Sequence, residues 1–287
     1  MTRSRPLLGT FVDIHVHVPN KSQLMVDRVH VAISQAYQVI ESVQSLMSFH
    51  DKNSALNQLN ATAHTTVVQT HPWIYAVLQR AQKIHHYSDG LFDCSIAPIL
   101  VDYGFLPTHQ SHNNTNNQWA TQKDVILLSQ NRVQFKSPLS LDLGGIAKGF
   151  AVDLALHCLR QHHIKHVVIN AGGDLRVMGD FEEAIYIRNP VQPSQVKYLG
   201  SLSNGAIATS GSYFATKMYH QQQVSHLIDP LTQQSVVTDQ SFTVLAPQAW
   251  LADALTKVLV LSENTEHTCF KHFGAKALII EKFESEW

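Results

Sequence analysis

Two pairs of adjacent glycines, Gly144-Gly145 and Gly172-Gly173, bracket one helical pattern, and they limit the chain more than any other feature. Ahead of the first pair, Leu139, Leu141 and Leu143 alternate as in a strand. Behind it, Val152, Leu156 and Leu159 fall at i, i+4 and i+7, which predicts a helix to about Arg160. Around the second pair, a strand from His166 and another from Asp174 meet at a bulge or a close backbone approach. A strand end, a glycine turn and a helix start form a seat for an anion. Glycine lets the backbone approach a ligand, and a helix N-terminus offers free N–H groups. Lys148 adds a point charge there, and Asp142 at the strand end points into the same place. The competing reading is a tight strand-to-helix turn with no ligand, because the spacing is neither the P-loop nor the dinucleotide fingerprint.

Composition narrows the class. Of 287 residues, 44% are hydrophobic and only 15% charged, enough for a large core and too apolar for disorder. The formal net charge of −1 gives no steering towards nucleic acid or an anionic membrane. The 18 histidines are scattered or paired, without metal-motif spacing, and no HExxH occurs. Cys94, Cys158 and Cys269 lie far apart without a CxxC, which argues against a disulfide framework and for a reducing compartment. The first residues lack an apolar signal region and no run is long enough to span a membrane, so the expectation is a cytoplasmic protein.

Along the chain, Phe11 to Val18 alternates as a strand, and Lys21 to Ser48 forms a long helix with Val26, Val29, Ile33, Ala36, Val39, Ile40, Val43 and Met47 buried. Ser54 caps a short helix, and Pro72 opens another that Asp89-Gly90 ends. Asp93 and Ser95 are polar islands in an apolar run; they either cap the helix near Pro98 or meet a ligand. Residues 108–121, rich in His, Asn and Gln, are a loop or insertion in which Trp119 is the one anchor. A hairpin turns at Gln130-Asn131. Short strands follow at Ile185 to Ile187, Gly205 to Tyr213, Val224 to Pro230 and Ser241 to Ala246. Gln248 to Leu261 is a helix with Asp253, Thr256 and Lys257 on one face. About eight or more strands, often in hairpins, interleaved with four or five helices predict a layered α+β fold of mixed or antiparallel sheets. No repeat or linker divides residues 1–287, so they are expected to form one functional domain.

Several segments occur here in an order that resembles the FAD:protein FMN transferases, the ApbE family. They are Gly9-Thr10, Met47-Ser48-Phe49 with Asn60, Gly90 to Asp93, Leu141 to Asp153, Asn170 to Asp174, Ala208 to Gly211, His226 to Pro230 and Ala252 to Leu255. The resemblance implies a two-lobed, T-fold-like α+β unit with FAD between its lobes. It implies Mg²⁺-assisted cleavage of the FAD pyrophosphate, release of AMP, and transfer of FMN to a threonine or serine of an acceptor flavoprotein. It carries FAD contacts onto Leu8, Phe49, Leu91, Phe92, Asp93, Cys94, Asp142, Lys148 and Leu227. It carries metal ligation onto the Gly145 carbonyl and the Asp253 carboxylate, and places Thr209 and His226 near the reacting phosphate. His226, a carboxylate or the departing phosphate could take the acceptor proton.

Two departures from the pattern stand out. The family usually has a threonine four residues after the metal-binding aspartate, where this chain has Lys257. Either Thr256 supplies the hydroxyl, or Lys257 replaces the metal, or FAD is bound without turnover; a pyrophosphatase using water is a further alternative. After Asp229-Pro230, Gln233 stands where the family usually has glycine, a strained choice if that turn needs a positive φ.

Overall fold

The computed structural model describes residues 1–18, 22–109, 120–190, 192, 194–212 and 215–282. The insertion at 111–118, the anchor expected of Trp119, and the ends Lys21 and Tyr213 of two expected elements lie outside them.

The chain starts with a hairpin, β1 (Thr2–Leu7) and β2 (Thr10–Val16). Helices α1 (Gln23–Met47) and α2 (Ala55–Thr62) follow, then β3 (Val68–Gln69), α3 (Pro72–Tyr87) and α4 (Ala97–Asp102). The hairpin β4 (Val125–Leu128) and β5 (Arg132–Phe135) precedes α5 (Ala147–Gln161). Next come β6 (Val167–Ala171), β7 (Asp174–Met178), β8 (Glu183–Arg188), β9 (Val196–Leu202) and β10 (Gly205–Ser210). Then follow β11 (Thr216–Tyr219), β12 (Gln222–Ser225), β13 (Ile228–Asp229), β14 (Gln234–Ser235) and β15 (Ser241–Ala246). Helices α6 (Ala249–Ser262) and α7 (Thr268–His272) and strand β16 (Lys276–Ile280) end the fold.

Seven strands form one antiparallel sheet in the order β1-β2-β6-β7-β10-β15-β16. Its inner face is covered by α5 and α6, and α1 packs on α5. The α1 stripe is buried as the periodicity predicts, except that Val26 and Val39 are half-buried and Tyr37 joins instead. The Tyr37 hydroxyl reaches the Arg3 and Val12 carbonyls at 2.6 and 3.0 Å, which lets an aromatic with a polar tip sit in the core.

Helix α6 is buried nearly all round, between sheet and α5. Two features of α5 set that packing. A Cβ at Gly149 would meet the Ala249 carbonyl oxygen at 2.3 Å, so only glycine admits the start of α6 this close. The Asp153 carboxylate accepts from the Ala249 and Trp250 amides at 3.1 and 2.9 Å, capping α6 from a neighbouring helix. The third glycine of the motif thus serves helix packing.

The strand expected over Leu139 to Leu143 is not one. All three leucines are buried, but the backbone of Leu141 pairs with a side chain: it donates to Asn60 Oδ1 and accepts from Asn60 Nδ2, both at 2.9 Å. Asp142 N–H donates to the Cys94 carbonyl at 2.8 Å. These partners satisfy the segment without a neighbouring strand. The strand expected over Val224 to Pro230 is likewise interrupted: β12 stops at Ser225 and β13 starts at Ile228. The β4–β5 turn runs over residues 129–131 and holds Gln130 and Asn131 at φ 61° and 55°, both in the left-handed region.

Candidate active site

Segments remote in sequence converge on one cleft of about 390 Å³. Its lining combines apolar side chains, Leu91, Phe92, Ile96, Leu100, Phe105 and Leu106, with the charged Lys148, Lys257, Asp142 and Asp174. Of the expected site residues, Leu91, Phe92, Asp93, Cys94, Asp142, Gly145, Lys148, Thr209, His226 and Leu227 all line it. Leu8, Phe49, Asp253 and Thr256 do not. Leu8 lies in the β1–β2 turn at φ 57° with its amide on Gln44, and Phe49 is buried beside His109. Asp253 and Thr256 stand behind the lining, 1% and 0% exposed.

The charged part of the lining is built around Asp253, a carboxylate inside an apolar helix. Lys257, one turn on, places Nζ 2.5 Å from its Oδ1 and 3.0 Å from its backbone carbonyl oxygen. Lys148 Nζ, from the start of α5, is 3.2 and 3.3 Å from its two carboxylate oxygens and 2.7 Å from Asp174 Oδ2. The Gly149 amide donates to Asp253 Oδ2 at 3.2 Å. Burial works against the Asp253 charge, but Lys148 and Lys257 outweigh it and hold the carboxyl below its usual range. Burial also opposes the Lys148 charge, and Asp174 and Asp253 reverse that and push its pKa up. Asp174 is pushed up by burial and by the neighbouring Asp253 charge. Asp174 was not among the expected site residues. Its signal was the position after Gly172-Gly173, where both glycines have positive φ and a Cβ on Gly172 would meet Thr10 Oγ1 at 2.5 Å.

The helix N-terminus is not the open anion seat that the glycines suggest. Ile146 and Ala147 amides donate to Leu143 O, and the Gly149 amide is spent on Asp253. The positive charge on the cleft comes from Lys148 and Lys257. Gly144 and Gly145 matter for contact: a Cβ on the first would lie 3.0 Å from Asp142 Oδ2, and on the second 3.3 Å from Lys257 Cε. Asp142 is pushed up by burial, against a hydrogen bond from the Gly144 amide.

The other wall holds Asp93. Its Oδ1 accepts from the Ser95 amide and hydroxyl at 2.8 and 2.7 Å, and both its oxygens face the Gln122 amide. His85 Nδ1 is 3.2 Å from Oδ2. Helix α4 has no side-chain cap, so capping is not what Asp93 and Ser95 do. Cys94 is buried beside Asp93 and Asp142, and burial first of all keeps it a thiol, well above the ordinary range. It is no nucleophile.

The break between β12 and β13 turns His226 into the cleft, where its ring is open to solvent yet walled by protein beyond. That enclosure, then the Lys257 charge, outweighs a hydrogen bond with Ala215 and lowers its pKa to about 4. At pH 7 the ring is neutral and can accept a proton. Thr209 Oγ1 shares a hydrogen bond with Thr243 Oγ1 at 2.8 Å.

These side chains are a poor match for Mg²⁺. The Thr256 hydroxyl donates to Asp253 O at 2.7 Å and lies 2.7 Å from Ser210 Oγ, so it is already engaged within the protein. The Asp253 carboxylate already carries two ammonium groups. A divalent ion about 4 Å from either would be repelled by about 8 kcal/mol at an effective dielectric near 20. Among the described residues, no group of three or more His, Cys, Asp or Glu could hold a metal ion.

The sequence profile of the ApbE family matches residues 8–278, almost the whole chain. The chain belongs to the ApbE family. It is 29% identical over 248 residues to an FAD:protein FMN transferase of Haemophilus influenzae, covering 79% of this chain and 71% of that one. It is 27% identical over 307 residues to the FAD:protein FMN transferase of Treponema pallidum, covering 97% and 84%. The crystal structure of the ApbE protein from Thermotoga maritima superposes with a TM-score of 0.82 at 25% identity, over 99% of this chain and 97% of that one. The flavin transferase ApbE from Vibrio cholerae shares the fold at a TM-score of 0.78 and 22% identity, over 99% and 94%. The α+β architecture expected from the sequence is the ApbE fold. Among the described residues no helix is long and apolar enough to cross a membrane.

Proposed function

We propose that the chain is a flavin transferase, which cleaves the FAD pyrophosphate and transfers FMN through a phosphoester to a threonine or serine of an acceptor flavoprotein, releasing AMP. The observation that carries the reading is a single cleft whose lining combines a run of apolar side chains with two lysines, Lys148 and Lys257. In this reading the flat ring system packs on apolar lining residues such as Leu91, Phe92 and Phe105, and the pyrophosphate is met by Lys148 and Lys257.

Phosphoryl transfer asks mainly for positioning and neutralisation of charge. Lys148 is fixed by Asp174 and Asp253, so it meets the phosphate with little reorganisation. Thr209, Leu227 and Asp142 line the same cleft. His226 is neutral and faces the same space, so it can take the acceptor proton, though its low pKa makes it a weak base. Leu8 and Phe49 support the fold near the first hairpin and α2 and reach FAD only if it extends beyond the cleft. Magnesium, the cation implied by the resemblance, would have to displace Lys257 from Asp253, and no step is assigned to it.

The test is AMP release from FAD with a threonine peptide present. Equal amounts of AMP and flavinylated peptide are expected. AMP without labelled peptide would make the protein a pyrophosphatase, and bound FAD without AMP would make it a carrier.

A further inference from the structure

Lys257 occupies a place that looks built for a cation. Two oxygens of Asp253, one carboxylate and one carbonyl, converge on its Nζ at 2.5 and 3.0 Å. Gly145 leaves room for its side chain, since a Cβ there would press on Cε at 3.3 Å. The side chain is 22% exposed, on the cleft wall. An ammonium has three N–H groups. Among the described residues, Asp253 takes two of them, which leaves one for a phosphate oxygen. Lys148 differs: its Nζ is within 3.3 Å of three carboxylate oxygens.

We propose that Lys257 is the resident cation of this cleft, standing on Asp253 in place of a divalent ion, so that the chain cleaves FAD without magnesium. The proposal rests on the transferase reading above. In the step it serves, the acceptor oxygen bonds to the FMN-side phosphorus. The bond from that phosphorus to the bridging oxygen breaks, and AMP leaves with that oxygen and the electron pair. The acceptor hydroxyl proton ends on the AMP phosphate or in solvent. Charge gathers on the bridging oxygen, where the third N–H of Lys257 can meet it. A tethered ammonium supplies one charge rather than two, and it needs no free ion.

The experiment has two arms on the full chain. In the first, Mg²⁺ alone is titrated calorimetrically into chelator-treated, FAD-free protein. Wild type should show no binding up to millimolar concentration, and Lys257→Thr should bind at least tenfold more tightly than wild type. In the second, AMP release is followed with EDTA or with Mg²⁺. Wild type should differ by less than twofold between the two. Lys257→Met should lose at least a hundredfold in both, and Lys257→Thr should be slow in EDTA and recover at least tenfold with Mg²⁺. Wild-type activity that stops in EDTA and returns with Mg²⁺ would overturn the proposal. So would micromolar Mg²⁺ binding to wild type that Asp253→Asn abolishes. If no AMP appears under any condition, the transferase reading fails and the titration alone decides. No binding to wild type with a gain in Lys257→Thr keeps Lys257 as the resident cation, and binding to wild type removes it. If a variant does not fold, as circular dichroism would show, the two wild-type measurements still settle the matter.

Discussion

Asp93 and Asp253 are both buried aspartates at the same cleft, but they are held by opposite means. Asp93 is satisfied by two backbone amides, a serine hydroxyl and a histidine ring, all belonging to one wall. Asp253 is held by two lysines and one amide, and both lysines face the cleft. Fixed dipoles make Asp93 a brace that shapes the 91–96 segment. Full charges that line the cleft make Asp253 an anchor whose partners are also a ligand's partners. The difference teaches that burial alone does not mark a functional carboxylate; what matters is whether its counter-charges are shared with the cleft.

The largest expected effect comes from breaking the cationic side. Asp253→Asn leaves Lys257 without a carboxylate and Lys148 with Asp174 alone, and should lower stability by about 3 to 5 kcal/mol in urea unfolding. Asp93→Ala orphans its donors and should cost about 2 to 3 kcal/mol by the same measurement. Equal losses would mean that the lysines hold Asp253 no more firmly than amides hold Asp93.

The pH response sharpens the contrast. His226 has a folded pKa of about 4, against about 6.5 in an unfolded chain. Between those values the unfolded state binds a proton that the folded state refuses. Stability from this group is therefore complete above pH 6.5 and declines as pH falls towards 4. NMR titration of the ring should find the low value, and Lys257→Met should raise it only part of the way, because burial is the larger cause. A value unchanged in Lys257→Met would show that the lysine charge does not reach the ring.

The smallest effect lies away from both aspartates. Gln233 holds φ 62°, the positive-φ position suspected from the sequence. Gln233→Gly should stabilise the protein by about 0.5 to 1 kcal/mol, read as a rise in thermal midpoint.

Much of this was legible in the chain. Helices α1, α3, α5 and α6 were readable because each carries a periodic buried stripe or an end signal such as Pro72 or Asp89-Gly90. Most of the cleft was legible through ordered short segments rather than through any one motif. What escaped has physical reasons. Strand β1 carries Arg3, Ser4 and Arg5 and is an edge strand with no fully buried face. The β11–β12 hairpin turns on His220 and Gln221 at φ 44° and 67°, residues that do not signal a turn. Asp174 hid behind a glycine pair that explains itself as a hairpin. The direction of the Thr256 hydroxyl depends on Ser210, 46 positions away in sequence, which no local pattern contains.

The carboxamide of Asn60 has the same donor and acceptor as a peptide unit, and it takes the place of a missing strand beside Leu141. The loop carrying Asp142 is therefore fastened on one side by this side chain and on the other by the Cys94 carbonyl. Aspartate would turn a donor into a second acceptor facing the Leu141 carbonyl, and leucine would offer neither group. Only an amide of that length speaks both halves of the backbone's language, so the genetic code leaves this position almost no synonyms.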